Sequence, residues 1–260
     1  MASQPGLLTE RVVLVSGGTQ GVGAGVAPAA ARAGAAAVVV TGRRPEPGQA
    51  LAAELRGSGA QALYVRADVA SAGASAAAAV ERFGRVDCLV NAAGLTSRGT
   101  LLDTTPELFD AHIAVNLRGP FFLMQAVVAD MVRRRAPGTI VNIISSSELG
   151  GQPYLAPYVA AKAGLAGLTR NAAYAHRHDR IRINGLDIGC TETEGEDATQ
   201  RAFHGAADDW RERAAATLPM GKLSQVDEIA DFVVFLLSGR SGVVTGSVID
   251  WDQNVPGAHD

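Results

Sequence analysis

Seven short apolar runs, separated by longer alanine-rich segments, recur along the 260 residues of the chain. Each run is continuous and rich in Val and Ile, which is typical of strands buried on both faces of a parallel sheet. The runs are residues 11–16, 37–41, 62–65, 86–91, 139–145, 180–185 and 247–251. The segments between them predict helices at 21–33, 47–56, 72–83, 107–134, 157–177 and 225–237, the last with Ser224 as candidate N-cap.

Strand and helix alternate from one end of the chain to the other, which predicts right-handed crossover units. We therefore expect an α/β fold: a Rossmann-type doubly wound parallel sheet of about seven strands with helices on both faces. No linker or change in composition divides the chain, so we expect a single domain over residues 1–260. Residues 190–216 lack this alternation of strand and helix and are expected to form an insertion after the sixth strand.

The composition limits the classes of binding partner and the cellular compartment that we expect. A net charge of −3 gives no reason to expect nucleic acid or a membrane surface as partner. Cys88 and Cys190 lie far apart without metal-ligand spacing, so we expect neither a disulfide framework nor a metal site. The N-terminal "MASQPGLLTER" does not resemble a signal peptide, and no run is long enough for a membrane span. We expect a cytoplasmic protein.

A glycine-rich turn, "SGGTQGVG", joins the first predicted strand to the first predicted helix. Gly17, Gly21 and Gly23 would let backbone approach a pyrophosphate closely, and the helix N-terminus offers free N–H groups. The spacing Gly-x-x-x-Gly-x-Gly differs from the best-known dinucleotide fingerprint, and a tight turn without a ligand is the alternative. Its position after the first strand favours a dinucleotide site.

The end of the second strand bears on the choice of dinucleotide. Gly42 stands about where an acid would bind a ribose 2′-hydroxyl, and Arg43 and Arg44 follow it. Guanidinium groups pair well with a 2′-phosphate, which favours NADP over NAD. The alternative is that both arginines are solvated charges in a loop.

Tyr158 and Lys162 share one helical face in "YVAAK" because they are four residues apart. A free phenol has a pKa near 10, but a nearby ammonium and an oxidised nicotinamide would both favour the phenolate and lower that value. The tyrosine would then pass a proton to or from a substrate oxygen. The pattern alone is common by chance.

Several motifs occur together in one order: "SGGTQGVG" (16–23), "ADV" (67–69), "NAAG" (91–94), "NLRGPFF" (116–122), "IVNIISS" (140–146), "YVAAK" (158–162) and "INGLDIGCTET" (183–193). With these motifs the chain resembles the short-chain dehydrogenase/reductase (SDR) family from about residue 9 to residue 250. In that family an Asn–Ser–Tyr–Lys tetrad carries the chemistry. The resemblance assigns it here to Asn116, Ser145, Tyr158 and Lys162.

Roles within the tetrad also come from the resemblance. Ser145 is selected among three serines because the family's serine closes the fifth strand thirteen residues before the tyrosine. Its hydroxyl would bind the substrate oxygen. Lys162 would also hold the nicotinamide ribose, and Asn116 would complete a proton relay through water, the alternative for Asn116 being a structural bond within its helix.

Cofactor contacts follow from the same resemblance. They are Gly17, Thr19, Gln20, Gly21, Val22, Gly23, Arg43, Asp68, Val69, Asn91, Gly94, Tyr158, Lys162, Gly189, Thr191 and Thr193. Asp68 would accept a hydrogen bond from the adenine amine, and Gly189 and Thr193 would meet the carboxamide. Ile188 replaces the proline usual in this element, so the backbone path there is expected to differ.

The segment 190–216 forms a lid over the substrate in the family that the chain resembles. Its first half is strongly acidic, with Glu192, Glu194, Glu196 and Asp197. If these face the pocket they would repel carboxylate or phosphate substrates and suit neutral or polyhydroxylated ones, and a solvated charge run is the alternative. Further candidates to line the substrate are Ser147, Gln152 and Tyr154.

The sequence thus predicts an NADP-preferring oxidoreductase that interconverts a secondary alcohol and a carbonyl compound, a small-molecule substrate. An NAD-dependent sugar or polyol dehydrogenase is one alternative, and a catalytically silent nucleotide-binding regulator is another. The resemblance also implies a homodimer or homotetramer built on the helices at 107–134 and 157–177. The C-terminal "VIDWDQN" departs from the family's common ending. Because C-termini in this family often lie at subunit contacts, we expect the difference to affect subunit assembly.

Overall fold

A computed structural model describes residues 6–71 and 73–257 and shows one seven-stranded parallel sheet. The strands are β1 (Val12–Ser16), β2 (Ala37–Gly42), β3 (Gln61–Arg66), β4 (Cys88–Asn91), β5 (Gly138–Ile143), β6 (Ile181–Ile188) and β7 (Val248–Trp251). Their spatial order is β3-β2-β1-β4-β5-β6-β7. All seven predicted strands are present, and the predicted parallel sheet is confirmed.

Helices cover both faces of this sheet, as predicted. They are α1 (Gly21–Arg32), α2 (Pro45–Gly57), α3 (Gly73–Phe83), α4 (Pro106–Ile113), α5 (Gly119–Arg134), α6 (Ala156–His176), α7 (Glu194–His204), α8 (Trp210–Thr217) and α9 (Val226–Leu237). Val26 of α1 and Val233 of α9 belong to the core of one face. Leu123 of α5 and Ala173 of α6 belong to the core of the other. The predicted α/β fold class is therefore correct.

The strand order reverses beside β1, which pairs with β2 on one side and with β4 on the other. Ser16 and Asn91 are register partners at the carboxyl ends of β1 and β4. In open α/β sheets the crevice at such a reversal is where ligands bind. The glycine-rich turn and the "NAAG" segment both begin at this point.

The long helix predicted at 107–134 is helical throughout but changes its winding in the middle. Residues Ala114–Arg118 form a π-helical turn between α4 and α5, and Thr105 caps the start of α4 by accepting from the Leu108 N–H. Inserted π turns of this kind occur frequently at functional sites. Asn116 lies in the middle of this turn.

The segment 190–216 contains α7 and most of α8, two helices that the sequence analysis did not predict, and no strand. Thr199 is the one buried residue of α7, so the helix contributes little to the core. Polar groups stabilise the start of α7: the Thr193 hydroxyl accepts from the Glu196 N–H, and acidic residues occupy the first turn.

The predicted N-cap of α9 is also wrong. Gln225 precedes the helix without a side-chain cap, whereas Ser224 forms an isolated parallel bridge with Thr191. Its N–H donates to the Cys190 carbonyl (3.1 Å) and its carbonyl accepts from Glu192 (2.9 Å), so extended pairing fixes Ser224 outside the helix. Among the described residues, no helix combines the length and apolar character required for a membrane crossing.

Candidate active site

Tyr158 and Lys162 lie one turn apart on α6, and both side chains are buried, with 8% and 4% exposure. Pro157 occupies the first turn of the helix, where its missing N–H costs no hydrogen bond. Lys162 Nζ lies 5.6 Å from the centre of the Tyr158 ring and donates to the Ile143 carbonyl (2.8 Å). The phenol and the amine therefore meet at the carboxyl end of β5.

Ser145 connects Tyr158 to two residues that were expected to line the substrate. The Ser145 hydroxyl donates to Ser147 Oγ (3.2 Å), and it acts on Tyr158 by lowering the pKa of the phenol. Ser147 in turn donates to Gln152 Oε1 (2.6 Å). The structure thus brings Ser145, Ser147 and Gln152 into one chain of polar groups.

The expectation that the pKa of Tyr158 is lowered is wrong for the protein's own groups. Burial is the largest influence, and it raises the pKa of Tyr158 to about 12. The Ser145 hydrogen bond lowers it, Glu196 and Asp187 raise it further, and Arg98 lowers it slightly. The desolvation of the phenolate raises the pKa by more than the hydrogen-bonding and cationic neighbours lower it.

Burial acts on Lys162 in the opposite direction. It lowers the pKa of Lys162 to about 8, and the carboxyl of Asp187 partly offsets this by favouring the ammonium. Asp187 lies near the end of β6 and is itself buried. It was not among the predicted site residues.

Asn116 is fully buried, and its side chain forms hydrogen bonds with the loop after β4. Its Oδ1 accepts from the Leu95 N–H (2.9 Å), and its Nδ2 donates to the Leu95 carbonyl (3.0 Å). Nδ2 also lies 3.2 Å from His112 Nδ1. Asn116 is therefore joined to this loop by its whole amide group, and Gly94 lies beside it.

His112 is a second residue that sequence reasoning missed. It is fully buried, its ring meets the Tyr158 ring edge-on at 6.1 Å, and its Nε2 lies 3.1 Å from both the hydroxyl and the carbonyl oxygen of Ser97. The one signal in the sequence is its spacing of four residues from Asn116, which places both on one helical face.

The glycine-rich turn packs tightly against the segment after β4. Gly17 has φ 75°, and a Cβ there would lie 2.4 Å from the Ala93 nitrogen. Gly21 has φ 52° and faces Thr193, whose methyl group would lie 3.6 Å from an added Cβ. Gln20 makes no side-chain cap and α1 has no acid in its first turn, so the N–H groups of that turn face the crevice uncapped.

Other residues of this turn contact the core, α7 and the end of β2. Val22 packs against the core, and Gln20 is exposed beside Gly195 of α7. The Thr19 carbonyl accepts from the Arg44 guanidinium (3.1 Å). A Cβ at Gly42 would lie 2.6 Å from the Thr19 methyl group, so the end of β2 touches the turn.

Arg43 and Arg44 are both exposed at the end of β2. The Tyr64 hydroxyl fixes their backbone by donating to the carbonyls of Gly42 (2.8 Å) and Arg44 (3.0 Å). Within residues 6–71 and 73–257 the Arg43 guanidinium has no hydrogen bond or ion pair. Its charge is therefore available to a ligand at this corner.

Asp68 and Val69 follow β3. Asp68 is exposed, and its Oδ1 accepts from the Ala70 N–H (3.0 Å). The Val69 carbonyl lies so close to Gly119 that a Cβ there would be 2.7 Å away. This contact holds the end of β3 against the start of α5.

Asn91 turns its side chain into the protein rather than into the crevice. Its Nδ2 donates to Asn142 Oδ1 (2.8 Å), and Asn142 donates to Thr169 (2.9 Å). Asn91 Oδ1 has no hydrogen-bond partner among the described residues. The side chain thus links β4, β5 and α6 beneath the site.

The replacement of proline by Ile188 lets β6 run longer than predicted. Ile188 is the register partner of Trp251 in β7, and the Gly189 N–H donates to the Trp251 carbonyl (3.4 Å). A Cβ at Gly189 would lie 2.9 Å from that of Asp252, so the unusual C-terminal segment packs on this element. Thr191, which is buried, donates to the Gly189 carbonyl (3.0 Å).

Two of the four acids in the first half of the segment 190–216 form ion pairs. Asp197 binds Arg201 (2.9 Å), Arg211 (2.9 Å) and the Trp210 indole N–H (2.7 Å). Glu192 also pairs with Arg211 (3.5 Å). The paired acids do not act as free negative charges toward a substrate.

Glu196 and Arg98 are the charged groups of this region that influence Tyr158 directly. Glu196 accepts from Gln200 (2.8 Å). Arg98 lies over the Tyr154 ring at 5.4 Å and contacts His204 Nε2 (3.2 Å). Tyr154 is therefore present at the mouth of the site, but as part of a contact between the loop after β4 and α7.

Comparisons with known proteins agree with this geometry. A family profile described as enoyl-(acyl carrier protein) reductase matches residues 17–253. The chain is 37% identical over 256 residues to the A-factor type gamma-butyrolactone 1'-reductase (1S-forming) of Streptomyces virginiae, with 96% of each chain covered. It is 34% identical over 248 residues to the L-rhamnose 1-dehydrogenase (NAD(P)(+)) of Sphingomonas sp. (strain SKA58), covering 94% of this chain and 95% of the relative.

Solved structures give the same result. A Sinorhizobium meliloti 1021 protein described as a short-chain alcohol dehydrogenase superposes with a TM-score of 0.86 at 32% identity, over 95% of this chain and 96% of that one. Similarity of sequence and structure extends across almost the whole chain in each case. The protein therefore belongs to the short-chain dehydrogenase/reductase family of oxidoreductases.

Proposed function

We propose that this oxidoreductase prefers NADP and interconverts a secondary alcohol and a carbonyl compound, with Tyr158 as the acid/base. One observation supports this above the others: a buried phenol and a buried amine share one face of α6, and the Ser145 hydroxyl lowers the pKa of that phenol. An arrangement of donors around one oxygen suits proton transfer at a substrate oxygen.

The residues at the crevice fit a nicotinamide dinucleotide. The first turn of α1 presents N–H groups without a side-chain cap, which suits a pyrophosphate. The proposed contacts are Gly17, Thr19, Gln20, Gly21, Val22, Gly23, Arg43, Asp68, Val69, Asn91, Gly94, Tyr158, Lys162, Gly189, Thr191 and Thr193. Asn91 would contribute through its backbone, because its side-chain nitrogen already bonds Asn142.

The bound nicotinamide supplies the two-electron chemistry, as hydride acceptor or donor, and in its oxidised form a positive charge. Tyr158 then gives or takes the proton at the substrate oxygen, and Ser145 holds the same oxygen. Lys162, protonated, stabilises a deprotonated Tyr158 through its charge. Asn116 contributes by fixing Leu95 and His112, which keeps the wall beside Tyr158 in place.

Arg43 supports the preference for NADP. It is exposed at the end of β2, where Gly42 offers no carboxylate to a ribose 2′-hydroxyl. Arg44 lies beside it and already reaches over the glycine-rich turn to Thr19. A 2′-phosphate at this corner would meet guanidinium groups and no acid of β2.

An NAD-dependent sugar or polyol dehydrogenase is the second candidate. The observation that favours a sugar substrate is the 34% identity to an L-rhamnose 1-dehydrogenase (NAD(P)(+)), a name that covers both cofactors. A catalytically silent nucleotide-binding regulator is a weaker candidate, because the tetrad residues are all present.

Four further expectations belong to this proposal. The chain forms one domain, and α7 and α8 act as the lid over the substrate. Subunits associate through α5 and α6 into a homodimer or homotetramer, which the exposed Phe121 and Phe122 of α5 support. The free thiols of Cys88 and Cys190 support a reducing compartment such as the cytoplasm.

The deciding experiment replaces Tyr158 by Phe. A panel of sugars, polyols and ketones with NADP(H) and NAD(H), followed by nicotinamide absorbance, first identifies a substrate for the wild type. Tyr158→Phe is then expected to lose roughly 100-fold or more in kcat. Dinucleotide binding, measured by fluorescence, should persist because the crevice is unchanged.

Two results would count against the proposal. Turnover by Tyr158→Phe close to that of the wild type would remove Tyr158 from the chemistry. Dinucleotide binding by the wild type without turnover of any panel compound would favour the regulator.

A further inference from the structure

Asp187 is a buried carboxyl group that the proposed chemistry does not use. Its side chain is 1% exposed, and its Oδ1 has no hydrogen-bond partner in the part of the chain that the structure describes. Burying a carboxylate without full hydrogen bonding is costly, so such a group calls for a specific explanation.

Asp187 lies on the sheet face that α6 covers. Side chains alternate along β6: Leu186 packs with α1 and α9 on one face, and Ile183 packs with Ala173 of α6 on the other. Asp187 has the same parity as Ile183 and therefore points toward α6. Its register partner in β7 is Asp250.

Lys162 reaches the same level of the sheet from α6. Its Nζ donates to the Ile143 carbonyl (2.8 Å), and Ile143 is the register partner of Leu186, the residue before Asp187. The buried amine and the buried carboxyl thus lie at the same level, at the carboxyl ends of β5 and β6.

The charged groups around Asp187 are otherwise all acids. Glu148 follows β5, Asp250 is in β7 and Asp252 follows it, and each raises the pKa of Asp187 after burial, which is the largest cause. Lys162 is a cation that influences Asp187, and it lowers that pKa. Together they leave the pKa of Asp187 at about 7.

We propose that Asp187 is a positioning residue for Lys162: when ionised, its carboxylate keeps the buried amine protonated and so sets the charge beside Tyr158. This deepens the proposed function and rests on it, since the charge of Lys162 matters only if Tyr158 exchanges protons. The burial that would otherwise neutralise Lys162 is offset by one nearby negative charge. Ionisation of Asp187 therefore couples the site to pH in the neutral range.

The chain has two lysines, Lys162 and Lys222, which makes the charge of Lys162 directly measurable. Protein labelled with ¹³C at lysine Cε gives two signals by NMR, and Lys222→Arg assigns them. Lys222 is on the surface, where it pairs with Glu228. The titration requires neither cofactor nor substrate.

The expected result for the wild type is a Lys162 signal that shifts in two steps, near pH 7 with Asp187 and near pH 8 with its own amine. In Asp187→Asn the first step disappears, and the amine midpoint falls by about one pH unit. Asp250→Asn is the matched control. It removes the exposed register partner and should leave the amine midpoint nearly unchanged, because solvent screens that charge.

Two outcomes would overturn the inference: an unchanged amine midpoint in Asp187→Asn, or an equal fall in Asp187→Asn and Asp250→Asn. The amide keeps the shape of the carboxyl, and Asp187→Ser serves as a second variant if Asp187→Asn does not fold. Failure of the proposed function is separate, because it appears as turnover by Tyr158→Phe whatever the titration shows.

Discussion

Burial shifts an acid and a base in opposite directions, and the site contains one of each. The pKa of Tyr158 is raised to about 12 and that of Lys162 is lowered to about 8, so burial favours a neutral pair near pH 8 and above. Taking a proton from a substrate alcohol requires the phenolate, which the Lys162 ammonium stabilises. Neighbouring charges therefore decide the protonation state, and Asp187 is the one that acts on both residues.

Arg43 permits a test of cofactor preference at a single residue. Arg43→Ala should lower kcat/KM for NADP about tenfold or more, because a charge-assisted hydrogen bond to phosphate is lost, and leave kcat/KM for NAD nearly unchanged. Steady-state kinetics with both cofactors measures the ratio. Arg32→Ala, at the exposed far end of α1, is the control. An unaltered NADP value in Arg43→Ala would end the case for NADP preference.

Among the elements, the glycine-rich turn is constrained from two directions. Gly17 adopts a φ of 75°, which L side chains rarely adopt, and the Ala93 backbone leaves no room for a Cβ. The π turn at Ala114–Arg118 holds Asn116 against the other side of the same loop. The loop after β4 is thus packed between the glycine-rich turn and the π turn at the crevice.

Gly17→Ala should destabilise the protein by about 3 kcal/mol, the sum of backbone strain and overpacking. Gly59→Ala is matched to it, since Gly59 has φ 92° but nothing within 4 Å of an added Cβ. That variant should lose only the strain contribution, about 1 kcal/mol. Urea unfolding measures both. Equal losses in the two variants would show that the contact with Ala93 does not constrain the turn.

At the scale of the whole molecule, the amino-terminal and carboxyl-terminal ends of the parallel strands have different roles. Ion pairs of two buried aspartates lie at the amino-terminal ends of the strands: Arg134, which is half-buried, binds Asp130 (2.8 Å) and approaches Asp87 (3.4 Å), whose Oδ2 accepts from the Val12 N–H (3.0 Å). These contacts join the end of α5 to the starts of β1 and β4. The uncapped N–H groups and the unpartnered Asp187 oxygen lie at the opposite edge.

This division predicts that stability and chemistry separate. Arg134→Ala should cost about 3 kcal/mol, because it leaves Asp130 and Asp87 buried without that partner. Arg133 also pairs with Asp130 but is 65% exposed, against 18% for Arg134, so Arg133→Ala should cost less than about 1 kcal/mol. Urea midpoints give the difference, and kcat of the folded fraction should be unchanged in both. A large loss of kcat in Arg134→Ala would contradict the separation.

The sequence alone determined the order of the seven strands and of the helices between them, because these depend on local patterns. Continuous β-branched runs mark buried parallel strands, and the spacing of Tyr158 and Lys162 fixes one helical face. The full tetrad was assigned by resemblance to a family. The sequence analysis did not predict α7, whose residues are mostly exposed.

Only the tertiary structure decided the electrostatics of the site. The Asn116 side chain bonds Leu95, Asp197 of α7 pairs with Arg211, and Asp187 influences Lys162, although the members of each pair are separate in the chain. Desolvation, which controls the pKa of Tyr158, depends on everything packed around the phenol. A local pattern shows which groups face the same way along one helix, whereas their charge depends on how completely the rest of the fold excludes water.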